Sequence, residues 1–400
     1  MFRSSMIETT RRALRQAHAI PTRGPRRGAT LWPRSRAPFV AICLVLVALL
    51  APGLVSAPVQ QTLGLRTVPR VAVAPVPLAV ARLAALEGPR FPAALDAARA
   101  IAGAGQVTFA AVRDGQLLWS GSSGPGSRAN APLVIGSVTK TFVAAAVLEL
   151  AEAGLLDLDG PIGDLLPALP GVPVSVTVRQ LLDHTSGIAD LYNPVTSEAI
   201  EMAPNDGWSA RRLFGTIQPP WHPPGAGWSY SNANYYLLGL VVERVTGRPL
   251  ADQLSRRFLD RLDLTSTRVL TEAHPEPLTA AWATVFWSSG AMVSSAPDLA
   301  RWGDALLGGE VLHAPMRDAM LAFNDDGYGL GAQRIEVAGR SGVGHTGLLD
   351  TYTSLLLYLP DEGVTIALLV DRPGAPLVAM LTARPAGSGP SLVELALSGP

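Results

Sequence analysis

The chain has 400 residues, enough for a large core and more than one lobe. Its formal net charge is zero, but nine arginines against Glu8 alone give residues 1–36 a charge of +8 and leave the rest at −8, an acidic body with no footprint for nucleic acid. The single cysteine, Cys43, lies in an apolar run, which excludes a disulfide framework, a cysteine-built zinc site and a cysteine nucleophile.

From the N-terminus, residues 1–36 read as a basic leader that stays in the cytoplasm. No charge occurs between Arg36 and Arg66, and residues 37–57 are apolar but for Ser56. A helix needs about 20 residues to span the hydrocarbon core, so this segment is expected to be a single-pass cell-membrane anchor. The basic flank then places the body outside the cytoplasm. The alternative is secretion after signal cleavage. Val55-Ser56-Ala57 has the small residues of a cleavage site, but Pro58 follows it and the basic region is unusually long. Thr10-Arg11-Arg12 lies too far from the apolar run to count as a twin-arginine signal. Residues 58–90 hold Pro58, Pro69, Pro75, Pro77 and Pro89 and read as a semi-extended spacer. Residues 91–400 form the body.

The body opens with a helix expected over 91–104. A hairpin follows, with strands over 107–112 and 116–120 around the Asp114-Gly115 turn. Residues 139–153 are rich in Ala, Leu and Val with almost no polar face, which predicts a buried helix stopped by Gly154. Residues 155–230 are studded with Pro and Gly, with short helical pieces such as 178–182. Helices are expected over 233–245, ending at Gly247, and over 297–307. Apolar strands over 351–358 and 364–370 flank the turn Pro360-Asp361-Glu362-Gly363. Strands at both ends with helices between imply an α+β fold. One antiparallel sheet is formed from both ends of the domain, flanked by helices, with a mainly helical region inserted.

Three short segments carry chemistry. In Gly136-Ser137-Val138-Thr139-Lys140, a helix starting at Ser137 puts Ser137 and Lys140 on one face. A serine needs a base to become a nucleophile, and burial lowers an amine's pKa far enough for lysine to serve. Arginine cannot, because it stays protonated. Lys140 is the only lysine among 32 cationic side chains, so its place three residues after a serine is informative. The free N–H of Ser137 at a helix start can also face a developing oxyanion. In Tyr230-Ser231-Asn232, an extended backbone would point a phenol and a carboxamide the same way; alternatively Ser and Asn simply cap the next helix. His345-Thr346-Gly347 precedes a strand, with an imidazole able to exchange a proton and a glycine that admits close approach.

Taken in this order, Ser-x-x-Lys, Tyr-x-Asn and His-Thr-Gly resemble the three motifs of the penicillin-recognising serine hydrolases, the β-lactamase and D-Ala-D-Ala-carboxypeptidase superfamily, and within it the class C β-lactamase branch. Leu181 to Ile188, Pro223-Pro224-Gly225, Ser289-Gly290-Ala291-Met292, Asp298-Leu299-Ala300 and Tyr328-Gly329-Leu330-Gly331 also look like that family. The resemblance implies a β-lactamase/transpeptidase-like fold. It also implies an acyl-enzyme on Ser137, with Lys140 and Tyr230 managing its proton and either able to be the base. Backbone N–H groups of Ser137 and Leu348 would hold the oxyanion, and Asn232, His345, Thr346 and Gly347 would bind substrate. The expected substrate is a small molecule or cell-wall peptide: D-amino-acid peptides, β-lactams or small esters. A penicillin-binding sensor or scaffold with little turnover, and an esterase, are the alternatives. No metal, cofactor or nucleic-acid partner is implied, and a monomer is expected.

The third motif departs from the Lys-Thr-Gly of many β-lactamases of this branch. A mostly neutral imidazole attracts a substrate carboxylate less than an ammonium, which puts efficient β-lactam hydrolysis in doubt. Arg334 or Arg340 is a candidate for the missing charge. Gly342 to Gly347 also fits G-x-G-x-x-G, but no helix pattern follows it, so a dinucleotide site is rejected. Asp183, His184 and Ser186 are too close in sequence to converge as a triad and read as a helix-ending turn.

Overall fold

In the computed structural model, residues 90–386 and 389–398 are described, all within the compact unit Val68–Pro400. The proposed leader, the anchor over residues 37–57 and the spacer up to Pro89 lie outside the described residues. Among the described residues no helix is long and apolar enough to cross a membrane.

The frame is a six-stranded antiparallel sheet in the order β2-β1-β9-β8-β7-β6. β1 (Val107–Arg113) and β2 (Gln116–Ser123) come from the start of the body. β6 (Gln333–Val337), β7 (Arg340–Leu349), β8 (Tyr352–Leu359) and β9 (Val364–Val370) come from its end. The two halves join where β1 pairs with β9, Phe109 opposite Leu368. This is the expected closure of one sheet by both ends of the domain. β9 is buried along its whole length because both faces of the sheet are covered, which explains why it is apolar but for Thr365. Helices Phe91–Ala102, Leu377–Thr382 and Leu392–Ser398 pack a core on one face, built around Phe109, Trp119 and Leu368. The helical region packs the other. A small second sheet, β3 (Leu133–Val134) and β4 (Arg268–Val269) on either side of β5 (Met292–Ser294), lies within that region.

Helix Thr139–Glu152 runs through the second core with residues 139–148 all buried. Phe142 stacks on Trp302 at 4.0 Å, and the Trp302 indole donates to Thr141 Oγ1. Its missing polar face is therefore a packing requirement. Two expectations are corrected. The helix does not begin at Ser137: a 3-10 turn, Gly136–Val138, precedes it. The His-Thr-Gly segment does not precede a strand; it lies inside β7. Glycines weaken strand propensity, which hid β7 in the sequence. They are there because neighbours come close: a Cβ at Gly344 would lie 2.0 Å from Leu356 O, and one at Gly347 2.0 Å from Ile135 O.

Candidate active site

The site is assembled where the 3-10 turn abuts β7. Gly136 has φ +50, and a Cβ there would come 2.8 Å from the Leu348 nitrogen. Glycine thus permits both the turn and the approach that sets the Ser137 turn beside the Leu348 amide. β6 pairs only with Arg340 to Gly344 of β7, so among the described residues the edge of β7 away from β8 has no strand partner from His345 onward. The Thr346 N–H and hydroxyl on that edge both donate to Gln333 Oε1, which covers one place only.

One turn past the half-buried Ser137, Lys140 is wholly buried, its Nζ 3.1 Å from Ser137 Oγ. Nζ also donates to Asn232 Oδ1 at 2.8 Å and to the Ser289 carbonyl at 2.7 Å. It lies 4.9 Å from the centre of the Tyr230 ring and 5.4 Å from that of Tyr235. Burial lowers the Lys140 pKa from 10.5 to about 7, with the charge of Asp190 pulling the other way. Burial also pushes the Tyr230 phenol well above its usual range, against the effect of its hydrogen bond with Ser137.

Ser231 caps helix Asn232–Thr246, its Oγ accepting from Ala233 N. The serine of Tyr230-Ser231-Asn232 thus caps the helix while its two neighbours face Lys140. Asp190 accepts from Asn232 N at 3.0 Å and from Asn232 Nδ2 at 3.2 Å.

His345 is buried on β7. Its Nδ1 lies 2.6 Å from the Thr346 carbonyl, which can only accept, so Nδ1 carries the proton. Nε2 is left to accept from the Tyr328 hydroxyl at 2.9 Å. Burial, reinforced by the Lys140 charge, lowers the His345 pKa to about 3, so this imidazole is neutral. Of the two arginine candidates, Arg340 is paired with Glu362 at 2.7 Å, and the Arg334 guanidinium lies 5.0 Å from the centre of the Phe323 ring.

The Asp183-His184-Ser186 segment is a turn, not a triad. Asp183 accepts from the Thr185 N–H and hydroxyl, and Ser186 Oγ donates to Asn234 Oδ1. His184 takes φ +63, Ser231 N–H and the Asn234 amide donate to its Nδ1, and its ring sits 4.3 Å from that of Tyr230. The segment builds the wall against which Tyr230 stands.

The structure thus brings together Ser137, Lys140, Tyr230, Asn232, His345 and the edge from Thr346 to Leu348. Sequence reading missed Asp190, the Ser289 carbonyl, and the parts played by Tyr328 and Gln333. Tyr328 and Ser289 carried a signal, through the Tyr-Gly-Leu-Gly and Ser-Gly-Ala-Met stretches; an aspartate in a loop carries none.

The pattern of the Beta-lactamase family matches residues 91–385. Penicillin-binding protein 4 of Amycolatopsis lactamdurans is 29% identical over 277 residues, 59% of this chain and 71% of that protein. Penicillin-binding protein 4* of Bacillus subtilis (strain 168) is 28% identical over 153 residues, 36% of this chain, and the match spans only 31% of that relative's length. Among solved structures, a D-stereospecific amidohydrolase from Streptomyces sp. matches with a TM-score of 0.66 at 27% identity, covering 75% of this chain and 100% of that one. The D-amino acid amidase from Ochrobactrum anthropi SV3 matches with a TM-score of 0.59 at 24% identity, covering 71% and 92%, a likeness of fold alone.

Proposed function

Since this chain belongs to the beta-lactamase family, we propose that it is a serine hydrolase working through an acyl-enzyme on Ser137, acting on D-amino-acid peptides or amides, β-lactams or small esters. The observation that carries the reading is the buried Lys140 amine 3.1 Å from Ser137 Oγ. A neutral amine has two hydrogens. Asn232 Oδ1 and the Ser289 carbonyl accept both, which leaves the lone pair for the Ser137 proton. A pKa of about 7 makes much of this amine neutral at physiological pH. The raised phenol of Tyr230 keeps its proton, so the base is Lys140, and Tyr230 passes a proton on to the leaving group.

Ser137 Oγ attacks the substrate carbonyl while Lys140 takes its proton. The Ser137 and Leu348 N–H groups receive the oxyanion. The C–N or C–O bond breaks as the leaving group gains a proton through Tyr230. Water then cleaves the ester on Ser137. The second Nδ2 hydrogen of Asn232 is left for a substrate carbonyl. The neutral His345 favours amides and esters over substrates that must be held by a carboxylate. The D-stereospecific amidohydrolase of Streptomyces sp. points the same way.

Intact-mass spectrometry after exposure to benzylpenicillin, p-nitrophenyl acetate and D-phenylalanine amide tests this. The expected result is a transient acyl adduct on Ser137, absent from Ser137→Ala, with ester or amide released faster than the penicilloyl group. An adduct elsewhere overturns the assignment. A long-lived penicilloyl adduct without ester or amide turnover moves the protein to the sensor reading.

A further inference from the structure

We infer that Asp190 is a positioning residue for acylation: it fixes the Asn232 carboxamide with its oxygen toward Lys140 and supplies the negative charge that faces the Lys140 amine. Asp190 lies in the loop between helices Val178–Leu182 and Pro194–Met202. The Ser231 hydroxyl ties this loop to the start of the Asn232 helix by donating to the Ala189 carbonyl at 3.2 Å. The inference rests on the acyl-enzyme reading above.

A carboxylate only accepts, so the Asn232 atom 3.2 Å from Asp190 Oδ2 is the nitrogen of the carboxamide. The other atom, 2.8 Å from Lys140 Nζ, is then the oxygen. Asp190 therefore decides which end of Asn232 meets the amine. Flipped, Asn232 would turn its NH2 on the amine and remove one of the two acceptors that aim the lone pair at Ser137. Asp190 Oδ1 accepts from Asn232 N and from Tyr192 N at 3.3 Å. Burial raises the Asp190 pKa, but these N–H groups and the Lys140 charge oppose that, and a protonated form would meet only donors.

The groups facing Lys140 come from several elements: Ser137 on its own turn, Asp190, Tyr230, Asn232 and Tyr235, the Ser289 carbonyl, and His345 on β7. Burial keeps Tyr230 and Tyr235 protonated and His345 neutral. Asp190 is thus the ionised group of this set. Its charge raises the proton affinity of Lys140 against burial and opposes ionisation of Tyr230. Removing the charge lowers the Lys140 pKa further. Acylation needs the neutral amine, so its rate rises as pH rises through that pKa, and the acid limb must move to lower pH.

The experiment measures acylation of the full chain by p-nitrophenyl acetate against pH for wild type, Asp190→Asn, Asp190→Glu and Ser137→Ala, with circular dichroism for folding. In wild type the acid limb is expected near pH 7. In Asp190→Asn it moves down by about one unit and the plateau falls roughly tenfold. In Asp190→Glu, which keeps the charge but displaces it, the plateau falls while the limb stays. A folded Asp190→Asn whose limb is unmoved or higher overturns the inference, whatever its plateau, because a merely structural role would lower the rate alone. If Asp190→Asn does not fold, Asp190→Ser takes its place: a limb displaced to lower pH supports the inference, and an unmoved or higher limb overturns it. If Ser137→Ala is still acylated, the acyl-enzyme reading itself has failed; if it is silent, the Asp190 variants judge this inference alone.

Discussion

Ser137 and Lys140 depend on each other, and conservative exchanges separate their roles. Lys140→Arg keeps a positive charge but removes the ability to be neutral, since guanidinium holds its proton in proteins. We expect kcat/KM to fall by roughly a thousandfold or more, about 4 kcal/mol in the barrier. The larger, planar head also crowds a site without exposure, so circular dichroism must accompany the kinetics. A folded Lys140→Arg that keeps more than about a tenth of wild-type turnover, a barrier change under ~1.4 kcal/mol, ends the proton-transfer role. His345 makes the opposite kind of prediction. Its pKa is lowered to about 3, so it stays neutral from there upward and adds no limb between pH 5 and 8. His345→Gln should therefore lower activity without removing the limb near pH 7. A limb that vanishes with His345 would show that the imidazole, not the amine, is titrating.

At the scale of elements, the meeting of the 3-10 turn with β7 is the weak point. Gly136→Ala puts a Cβ on a backbone with φ +50 and within 2.8 Å of the Leu348 nitrogen. The strain is of order 1–3 kcal/mol, and relieving it moves apart the Ser137 and Leu348 N–H groups that we propose hold the oxyanion. Catalysis should fall more than stability: about a hundredfold in kcat, as for loss of an oxyanion donor, with Tm lowered by a few degrees. Equal Tm and kcat losses in both energy scales would mean that the turn is structural only. Helix Val178–Leu182 provides the contrast. Its capping box joins Thr177 and Gln180, with Oγ1 and Oε1 each accepting from the other's backbone N–H. Thr177→Ala should cost about 1 kcal/mol of stability and leave the acid limb in place, as read by thermal melts and the pH profile.

For the whole molecule, the asymmetry of charge sets the topology we propose. The +8 leader precedes an uncharged run, and positive flanks stay in the cytoplasm. A green fluorescent reporter fused to the C-terminus and exported through this leader should be dark, and an alkaline phosphatase fused there should be active. A bright cytoplasmic reporter with inactive phosphatase would reverse the orientation. Recovery of the body in soluble form, cut near Ala57, would favour secretion over anchoring. The acidic body bears on partners at the same scale, since it repels polyanions whatever the leader does.

The sequence by itself determined the fold class and the elements whose burial pattern is strongest, because burial writes its own period. β9 is apolar at every position but Thr365 since both faces of the sheet are covered, and helix Thr139–Glu152 lacks a polar side since it runs through the core. It also marked Ser137 and Lys140, because their relation is local: one helical turn, and a lysine in a chain that otherwise uses arginine. Tertiary structure alone decided the rest. β7 was hidden behind glycines whose need appears only when Leu356 and Ile135 are brought against them. Asp190 reaches Asn232 across 42 residues, and Ser289 reaches Lys140 across 149. Neither has a spacing to announce it. What sets the lysine's proton affinity is the balance between desolvation and one facing carboxylate, a quantity of the folded interior that no local pattern contains.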